Sequence, residues 1–159
     1  MPVIRFVREG IDVECYPGEN LREVALRHGI ELYGIKGKLG NCGGCGQCIT
    51  CFVDIISPHG SNSPSTLSAR TQVENMKLRR RPDTWRLGCQ VLVYGSVLVL
   101  TRPQLGLPDA EYRIAAARTA KLSKGNMSWF SPEVNINPEQ STTSSEGDEE
   151  PALNSDTVS

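Results

Sequence analysis

The chain opens on strand-type apolar runs. Val3 to Val7 and Ile11 to Tyr16 are rich in β-branched residues, and Arg8-Glu9-Gly10 between them predicts a hairpin. The period then lengthens. Asn20-Leu21-Arg22-Glu23 has the spacing of a capping box, Leu21, Val24 and Ala25 share one helical face, and Gly29 suits the C-terminal cap. Phe52 to Ile56 predicts a third strand, and residues 57–65, with Pro, Gly, Ser and Asn, predict a loop. Helix-start signals over Ser68 to Glu74 predict a short helix to about Leu78, limited by Pro82. Gln90 to Tyr94 and Val97 to Leu100 read as two strands, with Gly95-Ser96 between them suited to a type II′ turn. Asp109 to Leu122 is an Ala-rich helix candidate with Asp109 as its cap. There are no internal repeats. Short strands mixed with short helices predict a small α+β domain.

Between the first helix and the third strand the periodicity gives way to chemistry. Four cysteines follow the pattern Cys42-x5-Cys48-x2-Cys51-x37-Cys89. Thiolates hold the iron of iron–sulfur clusters, and a fold can join three ligands of one loop to a distant fourth. Five glycines lie between Gly37 and Gly46. Glycine permits positive φ and close approach, so backbone N–H groups can point at sulfides, and Lys36 and Lys38 add positive charge nearby. Cys45 creates a rival run, Cys42-x2-Cys45-x2-Cys48-x2-Cys51, compatible by spacing with a [4Fe–4S] or a zinc site. Against the first, bacterial [4Fe–4S] loops end in Cys-Pro, whereas Phe52 follows Cys51. Against the second, structural zinc sites combine two separated ligand pairs, and no second pair is evident. Ordinary buried thiols would not explain a glycine-rich loop at ligand spacing.

The stretch Cys42-Gly43-Gly44-Cys45-Gly46-Gln47-Cys48-Ile49-Thr50-Cys51-Phe52, followed by Trp85-Arg86-Leu87-Gly88-Cys89-Gln90, resembles the [2Fe–2S] ferredoxins of the β-grasp fold. Plant-type members space their first two ligands by four residues, which would need a cysteine where Gly43 stands. The spacing of five is similar to the adrenodoxin and putidaredoxin branch. The resemblance covers roughly residues 3 to 103. It implies a β-grasp domain binding one [2Fe–2S] cluster through Cys42, Cys48, Cys51 and Cys89, with Cys45 a bystander where the family has a small residue. It implies a one-electron carrier between redox proteins rather than an enzyme. A cluster-bearing subunit or assembly factor of a larger redox complex, an electron-transfer domain serving an oxygenase, and a zinc-stabilised interaction module are the competing readings.

Charge and length refine the organisation. The chain has 159 residues and formal net charge −1. Residues 1–106 hold 13 Lys and Arg against 9 Asp and Glu, and residues 107–159 hold 4 against 9. From Glu133 onward there are seven acidic residues and no Lys or Arg, among Ser, Thr, Asn and Pro, a composition that predicts disorder. The expected division is a ferredoxin-type domain over 1–106, a linker with a possible short helix over 107–125, and a disordered acidic tail over 126–159. No apolar run approaches a membrane span, so no membrane insertion is expected, and the charged start lacks the apolar core of a signal peptide. The short lead before the first strand leaves no room for a transit peptide, and clustered thiols favour a reducing compartment, so the expected address is cytoplasmic.

The basic run Lys77, Arg79, Arg80 and Arg81 lacks aromatic interleaving and a nucleic-acid fold pattern. It is read as a docking face for a redox partner with an acidic patch, not as a nucleic-acid site. His28, near a helix end, and His59, in a loop, lack the placement of Rieske ligands. Cys15 reads as a packed strand thiol, and Trp85 as a residue packing beside the cluster strand. No nucleophile–base pair, phosphate loop or paired carboxylate appears.

Overall fold

The computed structural model describes residues 1–45, 50–56 and 65–130. Its elements are β1 (Val3–Phe6), β2 (Ile11–Glu14), β3 (Glu19–Asn20), α1 (Leu21–Arg27), α2 (Ile35–Leu39), β4 (Phe52–Ile56), α3 (Gln72–Lys77), β5 (Trp85–Leu87), β6 (Leu92–Val93), β7 (Val97–Thr101), α4 (Ala110–Thr119) and β8 (Met127–Ser128), with a 3-10 turn at Gly88–Gln90. A six-stranded mixed sheet runs β5-β4-β7-β1-β2-β8, and β3 and β6 form a separate pair. The expected α+β class is what forms.

Local signals set several of these elements. The hairpin β1–β2 pairs Val3 with Glu14 and Phe6 with Ile11, turning at Gly10, whose φ is +69°. Asn20 caps α1, accepting from the N–H of Arg22 and of Glu23. Gly29, at φ +69°, ends that helix in the left-handed conformation, and Ile30 N–H bonds back to Ala25 O at 2.9 Å. Thr71 and Glu74 form a reciprocal capping box at the start of α3.

The predicted hairpin across Gly95-Ser96 does not form. All five residues of β7 are buried, and its two edges are already taken, by β1 in parallel and β4 antiparallel. No edge remains for β6, which pairs with β3 instead. Gly95 answers to a close approach, since a Cβ there would lie 2.9 Å from Thr66 Cγ2.

Two clusters of apolar side chains flank the sheet. The larger, with Ile4, Phe6, Val13, Leu21, Val24, Leu32, Val53, Leu87 and Val99, joins the strands to α1. Each such side chain contributes about 1.5–3 kcal/mol by leaving water. The smaller holds Val7, Ile56, Leu98, Leu100 and Ala117, with Ile114 and Trp129 packed against it.

The segment after residue 106 is therefore more than a linker. Arg5 is fully buried, forks onto Asp12 with two bonds of 2.7 Å, and also donates to Ala117 O, Ala120 O and Lys121 O. The buried guanidinium thus clamps the C-terminal end of α4. Asp109 makes no cap bond to that helix; its carboxylate accepts from Arg113 Nε at 2.7 Å. Residues 126–130, expected at the start of the tail, pair and pack on the sheet. Met127 pairs with Asp12 and Ser128 with Ile11, and Trp129 lies 4.6 Å from the Arg5 guanidinium. Residues 131–159, the rest of the expected acidic tail, lie outside the described residues. Among the described residues, no helix is long and apolar enough to cross a membrane.

Candidate metal centre

Strand pairing builds the site. β4 begins at Phe52, one residue after Cys51, and β5 ends at Leu87, two residues before Cys89. Phe52 pairs with Leu87, so the two cysteines emerge side by side from neighbouring strands. Gly88 N–H bonds to Cys51 O at 2.8 Å. A side chain at Gly88 would meet Leu32 Cδ2 at 3.2 Å and Cys51 O at 3.4 Å, so this approach needs a glycine.

The Sγ atoms of Cys51 and Cys89 stand 3.4 Å apart. Both residues are buried, at 2% and 7% exposure. With metal–sulfur bonds of about 2.3 Å, tetrahedral geometry puts two sulfurs about 3.8 Å apart, so this pair fits two ligands of one metal ion after a small adjustment. None of the five described cysteines is in a disulfide. Cys42 is half-buried on the glycine loop. Cys48 lies outside the described residues. Among those described, no three His, Cys, Asp or Glu side chains converge on one metal position. Of the four sequence-predicted ligands, the fold brings the Cys51 and Cys89 thiols together, and Cys42 sits on the neighbouring glycine loop.

The loop between has the backbone that its glycines predicted. Gly43 and Gly44 have φ of +69° and +105°, a region costly for residues with a Cβ. Asn41 holds the loop, accepting from Gly43 N–H at 3.0 Å and donating to Gly37 O at 3.2 Å. Cys45 is exposed, and its thiol turns back to Cys42 O at 3.3 Å. Cys15 is buried, with its thiol pushed up to about 11, first by burial and then by the Glu19 carboxylate.

Several contributors escaped the sequence reading. Asn20, expected only as a cap, also donates to Cys89 O at 2.9 Å, joining α1 to the fourth cysteine. Gln90 Nε2 reaches Cys89 Sγ at 3.6 Å and Gly44 O at 3.5 Å, spanning from strand end to loop. Glu74 accepts from Arg86 Nε at 2.7 Å and from Leu87 N–H at 3.0 Å, fixing β5 just ahead of Cys89. Burial works to raise the Glu74 pKa, but the bonds from Arg86, Thr71 and Leu87 overcome it and hold the carboxyl below its usual range. Arg22 reaches the loop from α1 and donates to the Tyr33 hydroxyl. Most of these contacts join residues more than ten apart in sequence, and no local pattern announces them. Trp85 sits as expected: its ring is 5.5 Å from that of Phe52 on the neighbouring strand.

The pair of buried thiols ends a mixed sheet beside a glycine loop, and that sheet with its helices fits an α+β ferredoxin-like fold. A solved structure described as the ISC-like [2Fe-2S] ferredoxin (FdxB) from Pseudomonas putida JCM 20004 superposes with a TM-score of 0.52 at 27% identity. The match covers 67% of this chain and 96% of that one. Among curated proteins, the photosynthetic NDH subunit of subcomplex B 3, chloroplastic, of Arabidopsis thaliana is 46% identical over 77 residues. That alignment covers 48% of this chain but spans only 35% of the relative's length. No protein-family model matches.

Proposed function

We propose that this chain is a one-electron carrier of β-grasp ferredoxin type, with Cys42, Cys48, Cys51 and Cys89 holding one [2Fe–2S] cluster. The observation that carries this reading is the buried Cys51–Cys89 thiol pair, 3.4 Å apart at the strand ends of a ferredoxin-like fold. When bound, such a cluster supplies reversible single-electron chemistry. The chain supplies the rest. Strands β4 and β5 set two thiols, the glycine loop carries Cys42, and Asn20 and Gln90 tie the fourth cysteine to helix and loop. The spacing favours the adrenodoxin-like branch. Reductive titration of the anaerobic protein tests the carrier role: uptake of one electron per chain, reversed by reoxidation, is expected, and no reversible uptake contradicts it.

A docking face accompanies the site. Lys77, Arg79, Arg80 and Arg81 are all exposed, and the Arg81 guanidinium lies 5.3 Å from the Phe52 ring and 5.4 Å from that of Trp85. The basic run thus borders the strands that carry Cys51 and Cys89. It suits a redox partner with an acidic patch, because complementary charge speeds encounter and orients it. The acidic stretch after residue 130 is a competitor in the same chain. Its removal at residue 131 spares the packed residues 126–130.

The second reading, an iron–sulfur subunit of a larger redox complex, is favoured by the likeness to an NDH subunit. Co-purification with partners at fixed stoichiometry would select it over a diffusing carrier. The same relative is chloroplastic, which sets a plastid beside the cytoplasm as a reducing address for these thiols.

A further inference from the structure

Arg22 is held in place from both ends. At its backbone, Asn20 accepts the Arg22 N–H at 3.0 Å and donates to Cys89 O, while Leu21 N–H bonds Val91 O at 2.9 Å. The first turn of α1 is therefore locked to the segment that carries Cys89. At its tip, Nε donates to the hydroxyl of Tyr33, whose side chain is buried. The extended side chain lies along the glycine loop: a Cβ built on Gly44 would be 3.6 Å from Arg22 Cδ and Nη1. The Tyr33 hydroxyl first, then the Cys51 and Cys89 sulfurs, hold its pKa above the ordinary arginine value. Arg27, on the same helix, differs. It is exposed and is neutralised by Glu19 across 2.8 Å.

We infer that Arg22, oriented by Tyr33, is the fixed positive charge that raises the reduction potential of a cluster held at Cys51 and Cys89. The inference rests on the proposed cluster. Reduction adds one negative charge to the thiolate-bound group, so a nearby cation stabilises the reduced state more than the oxidised one. Where neighbouring residues exclude water, that difference is screened less than at the surface. Tyr33 is the positioning residue: its hydroxyl stops the long side chain from swinging into solvent, where its charge would count for little.

Spectroelectrochemical titration of the anaerobically loaded protein tests the inference, comparing wild type with R22Q, R22K, Y33F and R27Q. The visible spectrum is recorded first. If wild type carries no iron–sulfur spectrum, the underlying reading has failed, before any statement about Arg22 is reached. With loaded proteins, R22Q is expected at a more negative midpoint potential and R22K close to wild type. Y33F should fall between wild type and R22Q, and R27Q should match wild type. Raising the salt should narrow the gap between wild type and R22Q. An unchanged or more positive potential in R22Q overturns the inference, as does an R22K shift equal to that of R22Q. If R22Q does not load, Y33F decides, since it keeps the charge and removes only its anchor: a more negative potential supports the inference, and an unchanged one overturns it.

Discussion

The two ends of the sheet are held together by different means. At the end made by β1, β2 and β8, the fully buried Arg5 guanidinium makes two hydrogen bonds to Asp12 and three to the carbonyls of Ala117, Ala120 and Lys121, tying the end of α4 to the sheet, and the Trp129 ring of the 126–130 strap lies 4.6 Å from it. At the end made by β4 and β5, the loop is held by glycine conformations, one asparagine and long contacts from Gln90. The first end is complete as protein. The second brings the Cys51 and Cys89 thiols together beside the glycine loop that carries Cys42, and under the proposed function a bound cluster would add cohesion there, because metal-binding free energy is also folding free energy. The buried ion pair and the site of the proposed function thus lie at opposite edges of one sheet.

Breaking the self-sufficient end gives the largest effect on stability. Arg5→Ala strands the Asp12 carboxylate in the core and removes the clamp on α4, at a cost of about 3–5 kcal/mol in denaturant unfolding. The visible spectrum of any protein that remains folded should be unchanged. A loss below about 1 kcal/mol would contradict both the stranded Asp12 carboxylate and the clamp on α4.

A smaller effect is expected on the carboxylate that braces β5. Glu74→Gln should cost about 1.5–3 kcal/mol near neutral pH, the range for hydrogen bonds to a charged group. The Glu74 pKa is held below that of the unfolded chain, about 4.3. Its contribution is therefore fully present above that pH and is lost as pH falls below it, through the depressed folded value. The stability gap between wild type and Glu74→Gln, measured by thermal melts from pH 7 downward, should hold steady and then close in that acid range. A gap that widens there would reverse the sign of the argument.

The mildest probe sharpens the contrast without unfolding anything. Cys45 is exposed on the glycine loop, while Cys15 is buried with its thiol pushed up to about 11. Iodoacetamide at pH 7.5 should alkylate Cys45 and spare Cys15, since thiolate and access together govern the rate. Peptide mapping that finds Cys15 labelled first would contradict the packing around β2.

These two ends were also unequally legible in the sequence. Local chemistry was readable wherever a few adjacent residues carry it: the Asn20 and Thr71 caps, the Gly29 stop, the β1–β2 turn, and the cysteines in their glycine loop. The central place of β7 was hidden, because a buried strand between two partners looks, one residue at a time, like half of a hairpin. The Arg5 clamp was hidden too. Its three carbonyl acceptors lie more than a hundred residues away, and a buried arginine in a strand reads as a surface position. Arg22 and Tyr33 fall between these cases, only 11 residues apart, yet their meeting depends on how α1 folds back over the loop. The Lys77–Arg81 run was visible at once, but its closeness to β4 and β5 came from Arg81 packing on Phe52 and Trp85.

The central claim is a two-iron cluster on Cys42, Cys48, Cys51 and Cys89. Iron and acid-labile sulfide, counted in anaerobically prepared wild type and in single cysteine variants, test it most directly. Two irons and two sulfides per chain are expected in wild type and in Cys45→Ser. Cys42→Ser, Cys48→Ser, Cys51→Ser and Cys89→Ser should each lose or severely destabilise the cluster. Four irons per chain, stoichiometric zinc, or a colourless Cys45→Ser beside an intact Cys42→Ser would contradict the account.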